Sequence, residues 1–362
     1  RLGSERRTGA APGQSSHDRG AQFFCVTDQS SRLGQVIGFL EQNHLVAPWD
    51  GRFGVLGSRG GGFLPKEIVD KTIFGGMQRD SKDSKGSDPG FADDFCGFLA
   101  GGSKARLYVG VPSMGGICGR LASLAGVSVQ QGTQVTDLRM DGGAWSVCTD
   151  AAGGTPADSG FQAVVVASHN PSLAANVVRR ITGNLQQDIH DGMAQSDSDV
   201  QPQQIVERLQ KLSASLQELR DRHKAPVYSL SAWFPEASLS ARLPFDAAVC
   251  PTSAEIQFIC REASKPSRIE QGEELWTAIS TPSFAQELLA RGAGEEQAAE
   301  ELGRHLTRLL GPALAGGGGG GGEAEVPLLR SSAKRWRAGF TTRSLGLQED
   351  SIGLEPWRLA IC

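Results

Sequence analysis

Residues 161–168, Phe-Gln-Ala-Val-Val-Val-Ala-Ser, constrain the fold of this chain more than any other run in it. Continuous valine and alanine content is typical of a strand that is buried on both faces, and such strands occur in parallel sheets covered by helices. The run therefore predicts an α/β fold. Ser168 opens the loop at the carboxyl end of this strand, where ligands of parallel sheets usually bind.

Length and composition exclude several classes of protein. With 362 residues and 39% hydrophobic content, the chain can bury a large core, and its length favours two lobes. The formal net charge of -4 gives no electrostatic basis for binding nucleic acid or an anionic membrane. No apolar run approaches the roughly 20 residues that span a bilayer, so no transmembrane segment is predicted.

The cysteines bear on metal binding and on redox environment. Seven of them are scattered along the chain without a CxxC pair, which predicts reduced thiols inside a cell and no zinc or other metal site. The compartment stays open, a plastid included, as do the oligomeric state and any targeting peptide.

The stretch 17–25 is the first place where a ligand site is indicated. Gly20 and Ala21 allow a backbone to approach a flat molecule, while Gln22 and Phe23 present an amide and a ring at strand alternation. An ordinary strand entered through a turn, capped by Asp18 and with its phenylalanines in the core, explains the same pattern. From the residues alone, this second interpretation is favoured.

The spacing of apolar residues predicts four helices, at about 31–44, 112–126, 205–219 and 288–311. The first carries apolar residues at three- and four-residue steps: Leu33, Val36, Ile37 and Leu40. The third has a stripe too short for a coiled coil, so we expect it to pack on its own domain. Its stripe consists of Ile205, Leu209, Leu212, Leu216 and Leu219.

Four further runs predict strands. Residues 53–56 suggest a short strand, and 227–234, 256–261 and 275–280 are spaced as an antiparallel sheet with long connections. We expect the last three to form the substrate lobe.

Four polar or glycine-rich stretches bear on ligand binding. Residues 78–90 predict a surface loop with little order, because they are too polar and too glycine-rich to repay ordering. The glycine run 316–322 predicts a flexible loop, and it lacks the strand and helix that flank a phosphate loop. Lys265 and Arg268 either meet an anionic substrate group or lie in an exposed, solvated loop, and the composition favours the exposed loop. Ser168 next to His169 lacks the geometry and the Gly-x-Ser-x-Gly turn of a hydrolase.

Several motifs resemble one known family in the same order along the chain. They are Arg-Leu-Gly-Ser-Glu-Arg-Arg at 1–7, Asp-x-Gly-Ala-Gln-Phe-Phe at 18–24, Tyr-Val-Gly-Val-Pro-x-Met at 108–114, Val-Val-Val-Ala-Ser at 164–168, Arg-Trp at 335–336 and Trp-Arg-Leu-Ala-Ile-Cys at 357–362. This set is similar to the renalase-like branch of amine oxidase-type FAD-dependent oxidoreductases, especially its plant and algal members. The resemblance implies a two-lobe α/β fold with a mixed cofactor-domain sheet and an antiparallel substrate-domain sheet.

The resemblance also implies an activity, a cofactor and site residues. In such enzymes a hydride passes from a small reduced substrate, an amine or a reduced nicotinamide, to the flavin, which dioxygen or another acceptor reoxidises. Residues expected near the flavin ring are Gln22, Phe23 and Trp336. Residues expected to contact FAD are Arg1, Asp18, Gly20, Ala21, Gln22, Val135, Ala167 and Ser168.

The same resemblance assigns domains and leaves alternatives open. It makes 1–56 a remnant of the cofactor domain, 57–104 an excursion and the edge of the substrate lobe, 105–170 cofactor-domain strands and a helix, 171–332 the substrate lobe, and 333–362 a return to the cofactor domain. The chain does not open with a strand and a Gly-x-Gly-x-x-Gly turn, so we expect the dinucleotide-binding βαβ unit upstream of residue 1, a further segment after Cys362, and little FAD binding by these residues alone.

Two other classes therefore stay open, and whether the chain is an enzyme is undecided at this point. One is an inactive fragment or non-enzymatic homologue of the same fold. The other is an FAD-linked desaturase or protoporphyrinogen-type oxidase, for which we expect a long apolar substrate tunnel.

Overall fold

A computed structural model describes residues 4–6, 16–26, 30–57, 62–67, 106–141, 143–150, 156–168, 171–191, 201–222, 224–268, 272–314, 326–341, 352–354 and 357–361. The helices in these ranges are α1 (Arg32–Gln42), α2 (Gly116–Leu124), α3 (Ser172–His190), α4 (Pro202–Arg222), α5 (Pro282–Ala290) and α6 (Glu295–Leu314). The strands are β1 (Ser4–Arg6), β2 (Ser16–Asp18), β3 (Phe24–Val26), β4 (Val46–Pro48), β5 (Phe53–Leu56), β6 (Phe63–Pro65), β7 (Arg106–Gly110), β8 (Val135–Asp141), β9 (Ala144–Thr149), β10 (Pro156–Phe161), β11 (Val164–Val166), β12 (Lys224–Pro235), β13 (Ala247–Val249), β14 (Ile256–Arg261), β15 (Glu273–Ser280), β16 (Arg330–Thr341), β17 (Ile352–Leu354) and β18 (Leu359–Ile361).

The chain forms two compact units, each assembled from separate segments. Unit 1 contains residues 1–127 and 225–340, and unit 2 contains residues 128–224 and 341–362. Arg1, His169 and the predicted loops 78–90 and 316–322 lie outside the described residues. No helix in the described ranges is long and apolar enough to cross a membrane.

A seven-stranded sheet dominates unit 1, in the order β16-β12-β15-β14-β13-β5-β6. The predicted antiparallel strands are confirmed, because β12 pairs with β15 and β15 pairs with β14 in that sense. The early strand β5 joins the same sheet parallel to β13, with Phe53 opposite Ala247 and Val55 opposite Val249. Residues from the start of the chain thus complete a sheet that its second half mainly supplies.

Both faces of this sheet are covered, which explains why β12 is almost continuously buried. Leu230 and Phe234 lie four positions apart on the face that packs against α5 and α6. Val227, on the opposite face, belongs to a second core cluster with Trp49 and Phe258. Residues of the candidate site, which is described in the next subsection, pack against this second cluster.

Helices α5 and α6 correct one prediction. The spacing of apolar residues predicts a single helix over 288–311, but α5 ends at Ala290 and α6 begins at Glu295. Gly292, between them, has a φ of +73°, a left-handed conformation that ends a helix and that favours glycine. The helical spacing of apolar residues continues across this break because both helices pack on the same core.

A three-stranded sheet, β3-β7-β4, carries helix α1. Ile37 and Leu40 are buried in a cluster with Val26 and Val46, so the expected helix over the first strand is confirmed. Leu33 and Val36 are 44% and 46% exposed, and the buried face is therefore narrower than the spacing suggested. Helix α2 begins at Gly116, four residues after the predicted start.

Unit 2 packs two helices on two small sheets, ordered β10-β9-β8 and β11-β18-β17. Strand β11 pairs with β18 in parallel, as residues 161–168 predicted. The prediction that this strand is buried on both faces is wrong, because Val165 is 64% exposed while Val166 is buried. Leu209 and Leu216 of α4 lie in the core cluster of this unit, which confirms that the helix packs on its own domain.

Candidate functional site

Four charged side chains lie buried together in unit 1: Asp18, Glu262, Lys265 and Arg268. Lys265 Nζ lies 2.8 Å from Glu262 Oε1 and 3.6 Å from Asp18 Oδ2, and Arg268 Nη2 lies 2.7 Å from Asp18 Oδ2. We call these four residues the charge cluster. The prediction that Lys265 and Arg268 lie in an exposed, solvated loop is therefore wrong, since they are 2% and 9% exposed.

Local structure brings three of these residues to one side of the chain. A 3-10 turn, Glu262–Ser264, follows the buried strand β14, and the amides of Lys265 and Arg268 donate to the carbonyls of Glu262 and Lys265. Glu262 Oε1 also accepts from Thr277 Oγ1 at 2.9 Å. Three-residue spacing on a tight turn places the three side chains near one another.

Asp18 and Arg268 join the turn to another part of unit 1. The amide of Met114 donates to Asp18 Oδ1 at 2.9 Å, and Arg268 Nη1 donates to the carbonyls of Gly110, at 3.2 Å, and Pro112. Three stretches, around 18, 110–114 and 262–268, are thus held by one set of charge-assisted hydrogen bonds, which are stronger than neutral ones.

Burial and neighbouring charges act on two titratable groups of the site. Burial lowers the pKa of Lys265, but the neighbouring carboxylates Glu262 and Asp18 favour the charged form, and this pKa is raised overall, so the ammonium stays charged. Burial raises the pKa of the Cys260 thiol to about 12. Cys260 is consequently protonated at neutral pH and is a poor nucleophile.

Gln22 points into the charge cluster. Its Nε2 donates to the carbonyls of Asp18, at 2.6 Å, and Gly20, at 3.0 Å. Its Oε1 accepts from Lys265 Nζ at 2.8 Å and from Cys260 Sγ at 3.4 Å. The amide therefore bridges the carbonyls of Asp18 and Gly20, at the start of the loop 19–23, and attaches this loop to Lys265. Residues 19–23 form this loop, while the predicted strand begins only at Phe24.

Trp336 reaches the same loop from the far end of the sequence. Its indole Nε1 donates to the carbonyl of Arg19 at 2.8 Å and to Ser229 Oγ at 3.1 Å. The position of β16 at the edge of the seven-stranded sheet, beside β12, brings Trp336 to this point. Ala21, Phe23 and Trp336 are all partly buried and pack on one core cluster.

The loop and these rings define a surface that we call the apolar strip: Gly20, Ala21, Phe23 and Trp336. Phe23 is held by Trp49 and Phe258, each with its ring centroid 5.7 Å away. All four residues are half-buried, so part of the strip is accessible. Small residues beside fixed rings suit a flat aromatic ligand, and the isoalloxazine ring of a flavin fits that description.

Three further predicted site residues, Val135, Ala167 and Ser168, belong to unit 2, whereas the strip belongs to unit 1. Val135 begins β8, and Ala167 and Ser168 follow β11, on a different sheet, and all three are exposed. Glu262 was missed by sequence reasoning. Its signal was Glu-x-x-Lys-x-x-Arg at 262–268, directly after a buried strand.

An open cleft of about 1060 Å³ lies in unit 1 between α6 and the segment 326–333. Its wall includes Arg19, whose carbonyl bonds Trp336, together with Glu295 and Glu300 from α6. The cleft thus shares one residue with the loop that carries the apolar strip. Within the described ranges, no group of histidine, cysteine and acidic side chains could hold a metal ion.

No protein-family model and no curated protein matches this sequence. Among solved structures, the chain is similar to a protoporphyrinogen oxidase-like protein from Exiguobacterium sp. 255-15, with a TM-score of 0.53 and 10% identity over 95% of this chain and 79% of that one. It is also similar to an oxidoreductase from Methanosarcina mazei, with a TM-score of 0.49 and 12% identity over 90% and 79%. A redesigned putrescine oxidase gives a TM-score of 0.49 and 13% identity over 87% and 74%.

The likeness to the Exiguobacterium protein carries the fold assignment. It extends over nearly the whole chain, although sequence identity is low. The predicted fold class is confirmed: the chain has a mixed α/β fold built from several sheets, similar to that of the protoporphyrinogen oxidase-like protein.

Proposed function

We propose that this protein is an FAD-dependent oxidoreductase that takes a hydride from a small reduced substrate, an amine or a reduced nicotinamide. We propose further that the protein belongs to the renalase-like branch of the amine oxidase-type enzymes. One observation carries it: Trp336 and the loop 19–23, which the resemblance assigns to the flavin, meet through the hydrogen bond from Trp336 Nε1 to the Arg19 carbonyl.

The chain's own residues have separable tasks in this proposal. A bound flavin would supply the electron sink for the hydride. Gly20 and Ala21 leave room for a planar ring, and Phe23 and Trp336 exclude water from one side of it. Fixed rings lower the entropy cost of binding because their side chains are already held by neighbours. Gln22 orients the loop through its bonds to Asp18 and Gly20.

A valine at Ala21 tests whether the strip contacts flavin. A branched side chain there would occupy space that the ring needs, so Ala21→Val should weaken FAD binding at least tenfold while the apoprotein melts within a few degrees of wild type. Both quantities are measured on protein expressed from its complete reading frame, by flavin fluorescence titration and by calorimetry. Ala232→Val, in the buried sheet, is the control that lowers melting temperature without a selective effect on FAD.

Two outcomes would contradict the proposal. A wild-type protein that retains no flavin would identify the chain as a non-enzymatic homologue. Unchanged FAD affinity in Ala21→Val would remove the strip from the site, since a valine that met only protein would act on stability alone.

A porphyrinogen oxidase is the second candidate, favoured by the fold likeness to the protoporphyrinogen oxidase-like protein. Reduction of the bound flavin under anaerobic conditions separates the candidates. An amine or a reduced nicotinamide should bleach the flavin under our proposal, whereas bleaching by protoporphyrinogen alone would favour the second candidate.

A further inference from the structure

We propose that Glu262 and Lys265 are positioning residues: through Asp18 and Gln22, they fix the main chain of 19–22 in the conformation that receives the flavin. The inference rests on the proposed function. It assigns a role to the buried charges of the cluster.

The geometry singles out the loop because both of its ends are attached to the same ammonium group. Lys265 Nζ contacts Gln22 Oε1 at 2.8 Å and Asp18 Oδ2 at 3.6 Å. Between these ends, Gln22 Nε2 binds the carbonyls of Asp18 and Gly20. Of the three residues between the anchors, Arg19 is held by its side chain, which donates to Ser332 Oγ, and by Trp336, which binds its carbonyl. Gly20 and Ala21 carry no long side chain of their own that could hold them in place. Their conformation depends on the charge cluster.

Charge balance makes this arrangement sensitive to single substitutions. Asp18 and Glu262 carry two negative charges, and Lys265 and Arg268 carry two positive charges, with all four residues at least 90% buried. Removing one charge leaves another uncompensated in the interior, which is strongly destabilising, whereas removing an opposite pair restores neutrality. Stability and positioning can therefore be separated by comparing single and double variants.

The decisive variant is the double substitution Lys265→Met with Glu262→Gln. Neutrality is restored, and the introduced glutamine keeps an oxygen for Thr277 Oγ1, so melting temperature should recover toward wild type relative to Lys265→Met alone. Gln22 Oε1, however, has lost its ammonium donor. We expect FAD affinity to stay at least tenfold below wild type in the double variant, with an altered flavin absorption spectrum.

Hydrogen exchange supplies a measurement that does not need the cofactor. In the apoprotein of the double variant, the amides of Ala21 and Phe23 should exchange about tenfold faster than in wild type, while those of β15 keep their protection. Lys334→Met is the matched control, because Lys334 forms an exposed ion pair with Glu295 at 3.4 Å. It should leave exchange in the loop, the spectrum and FAD affinity unchanged.

A role limited to stability predicts a different result. If FAD affinity and loop exchange return to wild type together with the melting temperature in the double variant, the positioning role is refuted. If wild type binds no FAD, the proposed function fails, and the inference fails with it as a statement about flavin. The exchange data then report separately whether the cluster orders the loop.

Discussion

At the scale of single residues, charge pairs hold neighbouring segments of the chain together, and Asp246 is the clearest case outside the candidate site. Asp246 Oδ2 accepts from the amide and Nε of Arg52, and Oδ1 accepts from Arg52 Nη2, all at 3.0–3.1 Å. Arg261 Nη2 lies 3.4 Å from Oδ1. Burial disfavours the ionised carboxylate and so raises the pKa of Asp246. The effects of Arg52 and Arg261 are larger, and the pKa is lowered overall. This carboxylate links the turn before β5 to the one before β13.

The lowered pKa predicts how stability depends on pH. The folded protein stabilises the ionised carboxylate of Asp246 more than the unfolded chain does. The contribution of Asp246 to the free energy of unfolding is therefore present above the ordinary pKa of about 4 and is lost as pH falls through the lower pKa of the folded state. Asp246→Asn should therefore cost about 1–2 kcal/mol of unfolding free energy at neutral pH and progressively less below about pH 4. Urea denaturation across this pH range measures the effect. Asp50→Asn, an exposed acid in the same turn, should follow wild type, and a pH-independent loss in Asp246→Asn would contradict the assignment.

At the scale of elements, the break between α5 and α6 depends on backbone conformation. Gly292 has a φ of +73°, which side chains rarely adopt, and nothing lies within 4 Å of the position that a Cβ would take. Strain alone should thus make Gly292→Ala about 1 kcal/mol less stable. Gly294→Ala is the matched control, because that position is equally open and has no positive φ. Equal melting temperatures for the two variants would show that the left-handed conformation is not required.

At the scale of the whole molecule, each unit has a core made from its own residues. In unit 2, Leu138, Trp145 and Val166 share a cluster with Leu359 and Ile361, and Trp145 Nε1 donates to the Trp357 carbonyl at 2.8 Å. The returning segment 341–362 therefore completes the core of unit 2. The same principle applies in unit 1, where β5 joins strands from the second half of the chain.

This organisation predicts that unit 2 can fold alone when its segments are rejoined. A protein with residues 128–224 linked to 341–362 by a Gly-Ser linker should unfold cooperatively on heating, as followed by circular dichroism. Trp145→Ala in that protein should lose about 3–5 kcal/mol, which would abolish the transition in a domain of this size. A non-cooperative trace from the unsubstituted protein would show that unit 2 depends on the rest of the chain.

The sequence by itself determined the fold class and most of the elements. Helical spacing identified α4, and runs spaced as an antiparallel sheet identified β12, β14 and β15, because these elements carry their burial pattern in neighbouring residues. It was less successful where burial depends on distant partners. The pattern of 161–168 indicated a strand buried on both faces, yet Val165 is exposed, since no local signal reports what covers a sheet.

Tertiary structure alone decided the candidate site. Trp336 and Arg19 are joined by a hydrogen bond, although more than 300 residues separate them, and no periodicity encodes such a contact. Lys265 and Arg268 looked like solvated charges because a lysine or arginine is rarely buried without partners. Glu262 is only three residues from Lys265, but Asp18 comes from a distant part of unit 1's sequence, and only folding brings it close enough to balance the charges in the interior.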